Sequence, residues 1–259
     1  MNIKTLFYIV VMALLVGCSK PQDKPAYPGK VVDEHSGEVE EPLTLKEQSV
    51  LLKEFYDLLI ENADEDTIVK FVDEHIGSLD TENADDMILE MEDYLLKKSF
   101  GFEHTYDTAS KYIDHASDEV KSYFELLKAE SQNVYTDGDN LNIGVEELLN
   151  RALNAEKHLK DYPTGKTNKK AYEMYENYIY GAILGSGNQY IYANESSSII
   201  KDEVLKVYNE IIDKDNGTYT AKILTQYVDE LSKDNGDLNG QNTLYFYENI
   251  HEIIHLNSK

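Results

Sequence analysis

The side chains best suited to chemistry lie close to the end of the sequence. His251, Glu252 and His255 belong to the segment HEIIH, residues 251–255. Residues four positions apart share one face of a helix, so two imidazoles at this spacing could bind one Zn²⁺ ion. The carboxylate between them could then act as a general base on a zinc-bound water. The spacing makes these three residues candidate metal ligands and catalytic groups.

This segment resembles the HExxH motif of zinc-dependent peptidases, which implies peptide-bond hydrolysis and requires a third zinc ligand. Residues 256–259, which follow the motif, supply no suitable side chain. Peptide deformylases, which the segment also resembles, take an upstream cysteine, and the only cysteine is Cys18. The apolar residues Ile250, Ile253 and Ile254 would place the motif on the solvent side of an amphipathic helix. We therefore expect no metal, no cofactor and no catalytic residue, and keep a zinc peptidase as an alternative.

Tyrosine is the second distinctive residue type, with 20 copies in a chain that lacks tryptophan. Tyr172 and Tyr175 share a helix face with Ile179, whereas Tyr178 points elsewhere. Amphipathic rings suit recognition surfaces, and they equally suit a core whose hydroxyl groups reach water. If the protein has a binding surface, we expect it at Tyr172, Tyr175 and Tyr178.

The first residues are typical of a targeting signal for export. Lys4 precedes the apolar run LFYIVVMALLV, residues 6–16, which is too short to span a bilayer and is typical of a secretory signal peptide. The segment Leu15-Val16-Gly17-Cys18 resembles the lipobox of bacterial lipoproteins. This resemblance implies cleavage before Cys18, a diacylglyceryl group and palmitate on that cysteine, and anchorage at the extracytoplasmic face of the cell membrane. The signal peptide would span residues 1–17.

Residues 18–43 are expected to form a flexible, disordered tether, because they contain four of the five prolines and few large apolar residues. The chain carries 24 basic and 49 acidic residues. Removing the signal peptide and its one lysine changes the formal charge from -25 to 23 - 49 = -26. This charge argues against nucleic acid as a partner, since nucleic acid requires clustered positive charge.

From residue 44 to residue 259, apolar residues recur with the helical period, and no stretch alternates as a strand would. Thr44 with Glu47, then Ser117, then Thr164 or Thr167 are candidate helix starts. The sequence predicts an all-α array of about nine or ten helices, stacked as antiparallel hairpins, with a possible seam at residues 137–142.

Two segments support stacked hairpins. Residues 158–179 align with residues 210–231 at an offset of 52, and each alignment half reads as a helix end, a polar turn and a second helix. The first half, with Ala152, Ala155 and Ala171, resembles the closing half of a tetratricopeptide-like hairpin. The aromatic and Leu-Gly signature of that family is absent.

These patterns favour a membrane-anchored extracytoplasmic lipoprotein. The function that we expect for it is that of a non-enzymatic helical scaffold that binds a protein or peptide of the cell envelope. A solute-binding lipoprotein is the first alternative, disfavoured because transporter-linked binding proteins need α/β lobes, and the zinc peptidase is the second.

Overall fold

The computed structural model describes residues 43–138, 140–186, 191–193 and 198–257, all within one compact unit, Pro42–Lys259. The predicted signal peptide, Cys18 and the predicted tether up to residue 42 lie outside the described residues. The described part is all-α, as predicted.

Ten α-helices make up most of the described residues. They are α1 (Leu45–Ile60), α2 (Glu65–His75), α3 (Thr81–Lys97), α4 (Gly101–Ala109), α5 (Asp118–Gln132), α6 (Val145–Asp161), α7 (Asn168–Leu184), α8 (Asp202–Lys214), α9 (Tyr219–Lys233) and α10 (Gln241–Asn257). Short 3₁₀ turns follow α2 and α4, at Ile76–Ser78 and Ser110–His115.

Local caps start α1 and α5 where the sequence predicted them. Thr44 Oγ1 accepts a hydrogen bond from the Glu47 amide, and Glu47 Oε2 accepts one from the Thr44 amide at 2.8 Å, which completes a capping box. Ser117 Oγ accepts from the Val120 amide at the start of α5. Both predicted starts are confirmed, because each side chain satisfies a backbone group that the first turn leaves unpaired.

The two aligned segments fold alike. Helices α6 and α7 meet through a turn after residue 161, and α8 and α9 meet through a turn after residue 214. Tyr175 and Tyr227, which the alignment pairs, are both completely buried. The internal similarity therefore reflects two helical hairpins with matching core positions.

A small sheet corrects the expectation that the chain has none. Strand β1 (Thr136–Asp137) pairs antiparallel with β2 (Asn140–Leu141), and Gly138 between them has a positive φ of 57°. Strands of two residues are too short for alternation to show in a sequence. This hairpin lies at the predicted seam and connects α5 to α6, which pack against each other.

Helix α6 is the hub of the array, since it packs against α5, α7, α8 and α9. Its buried face includes Leu148, Leu149, Ala152 and Ala155. Small residues on this face let α7 approach closely, and α6 and α7 form the most extensive helix contact among the described residues. Side chains of α5, α6 and α7 are therefore held close together.

Polar side chains from earlier helices secure the starts of later ones. Gln48 Oε1 on α1 accepts from the Asp80 amide before α3 at 3.0 Å, and Asp85 Oδ1 on α3 accepts from the Ser117 amide before α5 at 2.8 Å. Glu156 on α6 accepts from two amides in the first turn of α9. These three side chains are buried, and each fixes one helix against another.

Candidate functional site

A cleft of about 310 Å³ lies between α5 and α6, with α7 beneath it. This volume is at the lower end of the range for small-ligand sites. Helix α5 contributes an apolar part, Leu126 and Ala129, and α6 contributes Asn154. The other residues that line the cleft are Ser122, Glu125, Arg151, Lys157 and Tyr178.

A buried ion pair forms the floor of the cleft. Arg151 Nη1 donates to Glu130 Oε1 at 2.6 Å, and Arg151 Nε donates to Glu147 Oε1 at 2.9 Å. The same Nη1 donates to the carbonyl of Asn133, and Tyr178 Oη donates to Glu130 Oε1 at 2.7 Å. Arg151 and Glu130 are 6% and 2% exposed. The fork of the guanidinium thus joins α5 to α6, and the phenol joins α7 to both.

The Tyr178 hydroxyl remains a donor at all ordinary pH values. Burial raises its pKa, and the adjacent Glu130 carboxylate raises it further. Tyr178 therefore keeps one protonation state, and its hydrogen bond to Glu130 helps to fix the floor of the cleft. Such a fixed floor costs little ordering when a ligand binds.

A chain of hydrogen bonds runs behind one wall of the cleft. Ser122 Oγ lies 2.9 Å from His158 Nδ1, and His158 Nε2 lies 2.9 Å from Thr167 Oγ1. Thr167 Oγ1 and the Thr167 amide both donate to Glu119 Oε1 at 2.7 Å. His158 and Thr167 are buried, whereas Ser122 is half-buried and reaches the cleft.

The direction of each hydrogen bond in this chain follows from the acceptor at its end. The Glu119 carboxylate can only accept, so the single Thr167 hydroxyl proton is donated to it. His158 Nε2 must then carry the proton that is donated to Thr167 Oγ1. Burial lowers the pKa of His158, which favours the neutral ring, so Nδ1 accepts the Ser122 hydroxyl proton.

The three candidate tyrosines of α7 differ in burial, and two of them belong to the core. Tyr175 is fully buried and Tyr178 is 1% exposed, while Tyr172 is half-buried. Tyr175 Oη lies near Thr220 Oγ1 of α9, so the ring packs between helices. These rings belong to the core because α7 is covered by other helices on more than one side. Of the three, Tyr178 alone lines the cleft.

The three residues of the HEIIH segment lie on the exposed side of α10, while Ile253 and Ile254 are buried. His251 Nδ1 lies 2.5 Å from Glu176 Oε1 of α7, so it links two helices. Within the described residues, no group of three histidine, cysteine, aspartate or glutamate side chains is placed to hold a metal ion.

Sequence reasoning missed Arg151, Ser122 and His158. One signal for Arg151 was available, because it is the only arginine of the chain beside 23 lysines. Arginine is the cation preferred for buried, bidentate ion pairs. Ser122 and His158 are 36 positions apart, and no local spacing connects them.

No family profile matches this chain, and neither the curated proteins nor the solved structures compared with it show significant similarity. Among the described helices, none has the length and apolar character needed to cross a bilayer.

Proposed function

We propose that this protein is a membrane-anchored extracytoplasmic lipoprotein whose helical body is a scaffold that binds a peptide or protein segment of the cell envelope. Cys18, within Leu15-Val16-Gly17-Cys18, would carry the lipid. Residues 18–43 would connect this anchor to the body. The acidic composition favours a partner other than nucleic acid.

The observation that supports a binding role is the cleft between α5 and α6. Its floor is fixed by the Arg151–Glu130 ion pair, and its walls combine the apolar Leu126 and Ala129 with the amide of Asn154. A concave, preformed site with a few polar groups is typical of ligand recognition. Its volume suits one side chain or chain end of a partner.

The rim of the cleft carries both charge signs, with Glu125 on α5 and Lys157 on α6. Each charge already has a neighbour of opposite sign, since Lys128 lies 3.6 Å from Glu125 and Asp161 lies 2.6 Å from Lys157. The rim therefore has no net charge that would select a strongly ionic ligand. A peptide segment of mixed polarity fits this environment best.

Site-specific photo-crosslinking in intact cells tests this role. A photoreactive residue in place of Asn154, which is exposed and lines the cleft, is expected to give a discrete crosslinked envelope protein or peptide. The matched control is the same replacement at Asn209, an exposed position on α8 outside the cleft lining.

Replacing Ala129 by Gln, which fills the cleft from α5, should remove the product formed from position 154. Crosslinks from position 209 that equal those from position 154, or products that persist in the Ala129→Gln variant, would contradict the proposed site.

A further inference from the structure

We propose that Ser122 is a base-activated nucleophile, so that the cleft can accept a small acyl group from an ester. The geometry that carries this inference is the hydrogen-bond chain Ser122–His158–Thr167–Glu119, in which the first member reaches the cleft. This activity needs the cleft but no envelope partner, so it stands independently of the scaffold role.

The reaction balances without any cofactor. Ser122 Oγ forms a bond to the ester carbonyl carbon, and its proton passes to His158 Nδ1. The bond from that carbon to the alkoxy oxygen breaks, and the leaving oxygen takes the proton from Nδ1 to depart as an alcohol. Water then attacks the acyl-serine in the same manner, which releases the carboxylic acid and restores Ser122.

Neutral His158 has the correct tautomer for this role. Its Nε2–H is held by Thr167 Oγ1, which is itself held by the Glu119 carboxylate. Thr167 and Glu119 are therefore positioning residues, since neither reaches the reacting atoms. A Cβ atom at Gly165 would lie 2.3 Å from Glu119 Oε1, so glycine at this position leaves room for the carboxylate.

A donor for the developing negative charge is present in the same cleft. Asn154 lies one turn before His158 on α6 and lines the cleft with Ser122. Its side chain makes no hydrogen bond to any residue that the structure describes. The amide can therefore donate to the substrate oxygen as that oxygen becomes charged.

The cleft limits the class of substrate. At about 310 Å³, with Leu126 and Ala129 as its apolar part, it suits a short acyl group and excludes bulky ones. An ester is uncharged, so the negative charge of the chain does not repel it. Short-chain carboxylic esters are the ligands of this proposed site.

The test is covalent labelling of the full, purified chain with a short-chain fluorophosphonate probe and acylation by p-nitrophenyl acetate. We expect one adduct per chain, on the peptide that contains Ser122, and no adduct there in Ser122→Ala. His158→Gln keeps hydrogen-bonding groups but removes the base, so labelling should slow by about 100-fold. Ser131→Ala is the matched control, since Ser131 lies on the same helix and donates to the Lys128 carbonyl.

The pH profile separates general-base catalysis from a structural role. Burial lowers the His158 pKa from 6.5, against the opposing charges of Glu119 and Asp161, while Lys157 lowers it further. Labelling should therefore increase with pH and reach half its maximum below pH 6.5. Glu119→Gln removes one charge that raises this pKa, so the midpoint should move to lower pH.

Three results would overturn the proposal. They are the absence of any adduct at Ser122 in the folded wild-type chain, equal labelling rates in the wild type and His158→Gln, and equal labelling of Ser131. If His158→Gln does not fold by circular dichroism, the pH profile of the wild type decides, and a labelling rate whose half-maximum lies at or above pH 6.5 rejects His158 as the base.

Discussion

Arg151 is the residue on which the geometry of the cleft depends most. Its guanidinium contacts two carboxylates and one carbonyl while only 6% of the residue is exposed. Lysine carries the same charge but cannot present two donors in a fixed fork. The single arginine of the chain therefore occupies the place where its geometry is needed.

We expect Arg151→Lys to reduce the free energy of unfolding by about 1–3 kcal/mol, because at least one buried acceptor loses its partner. Arg151→Met should cost more, about 3–5 kcal/mol, since it leaves the buried Glu130 charge uncompensated. Urea unfolding followed by circular dichroism measures both. Lys157→Met, on the same helix and with a 76% exposed side chain, is the control and should change stability by about 0.5 kcal/mol or less. Equal stability of the Met and Lys variants at position 151 would contradict this account.

At the scale of residues, spacing in the sequence identifies only those functional groups that lie close together in the chain. The HEIIH segment was visible because its residues are close in sequence, and the predicted amphipathic face agrees with buried Ile253 and Ile254. Ser122 and His158 become neighbours only when α5 packs on α6. The tyrosines remained open between a surface and the core because a helical pattern indicates which residues share a face but not how many faces are covered.

At the scale of elements, the helices are stabilised by local caps and by side chains of distant helices. Glu156 is 1% exposed on α6, and its carboxylate accepts from the Tyr219 amide at 2.6 Å and from the Thr220 amide and hydroxyl at 2.8 Å. Lys160 lies 2.6 Å from the same carboxylate. One side chain thus caps α9 and fixes it to α6.

Replacing Glu156 by Ala should reduce the free energy of unfolding by about 2–4 kcal/mol, since two amides at the start of α9 would be left without an acceptor. Glu156→Gln keeps one carbonyl acceptor and should cost less. Amide hydrogen exchange should show the loss of protection in the first turn of α9. The control is Glu210→Ala, because Glu210 is exposed and, among the residues that the structure describes, pairs with Lys206 alone at 3.5 Å, so its loss should cost about 0.5 kcal/mol or less. Equal stability of the two alanine variants would contradict this role of Glu156.

The helices themselves could be predicted because their signals are local. The capping box at Thr44 and the cap at Ser117 lie within four residues of the groups they satisfy. The start of α7 was predicted as Thr164 or Thr167, and the structure places it at Thr167. The side chain of Thr167 does not cap the helix, and its amide donates to Glu119, 48 positions earlier. Such long-range caps have no signature in a single sequence.

At the scale of the whole molecule, the described residues form one compact helical unit around α6. The predicted fold class is confirmed, while the function remains a proposal that combines this unit with the segment Leu15–Cys18. A body attached to the membrane would be held there through its lipid, since a chain with a formal net charge of -25 gains little attraction from anionic headgroups. The proposed function therefore depends mainly on the lipid anchor at Cys18.

Metabolic labelling of a bacterial host with radioactive palmitate tests that anchor most directly. The account predicts that the wild-type chain incorporates label, begins at Cys18 in the N-terminal peptide detected by mass spectrometry, and fractionates with membranes. The Cys18→Ser variant should incorporate no label. The control is Ser19→Ala, which keeps Cys18 and should be labelled to the same extent as the wild type. A wild-type chain that is unlabelled, or a Cys18→Ser variant that still incorporates palmitate, would contradict the central claim.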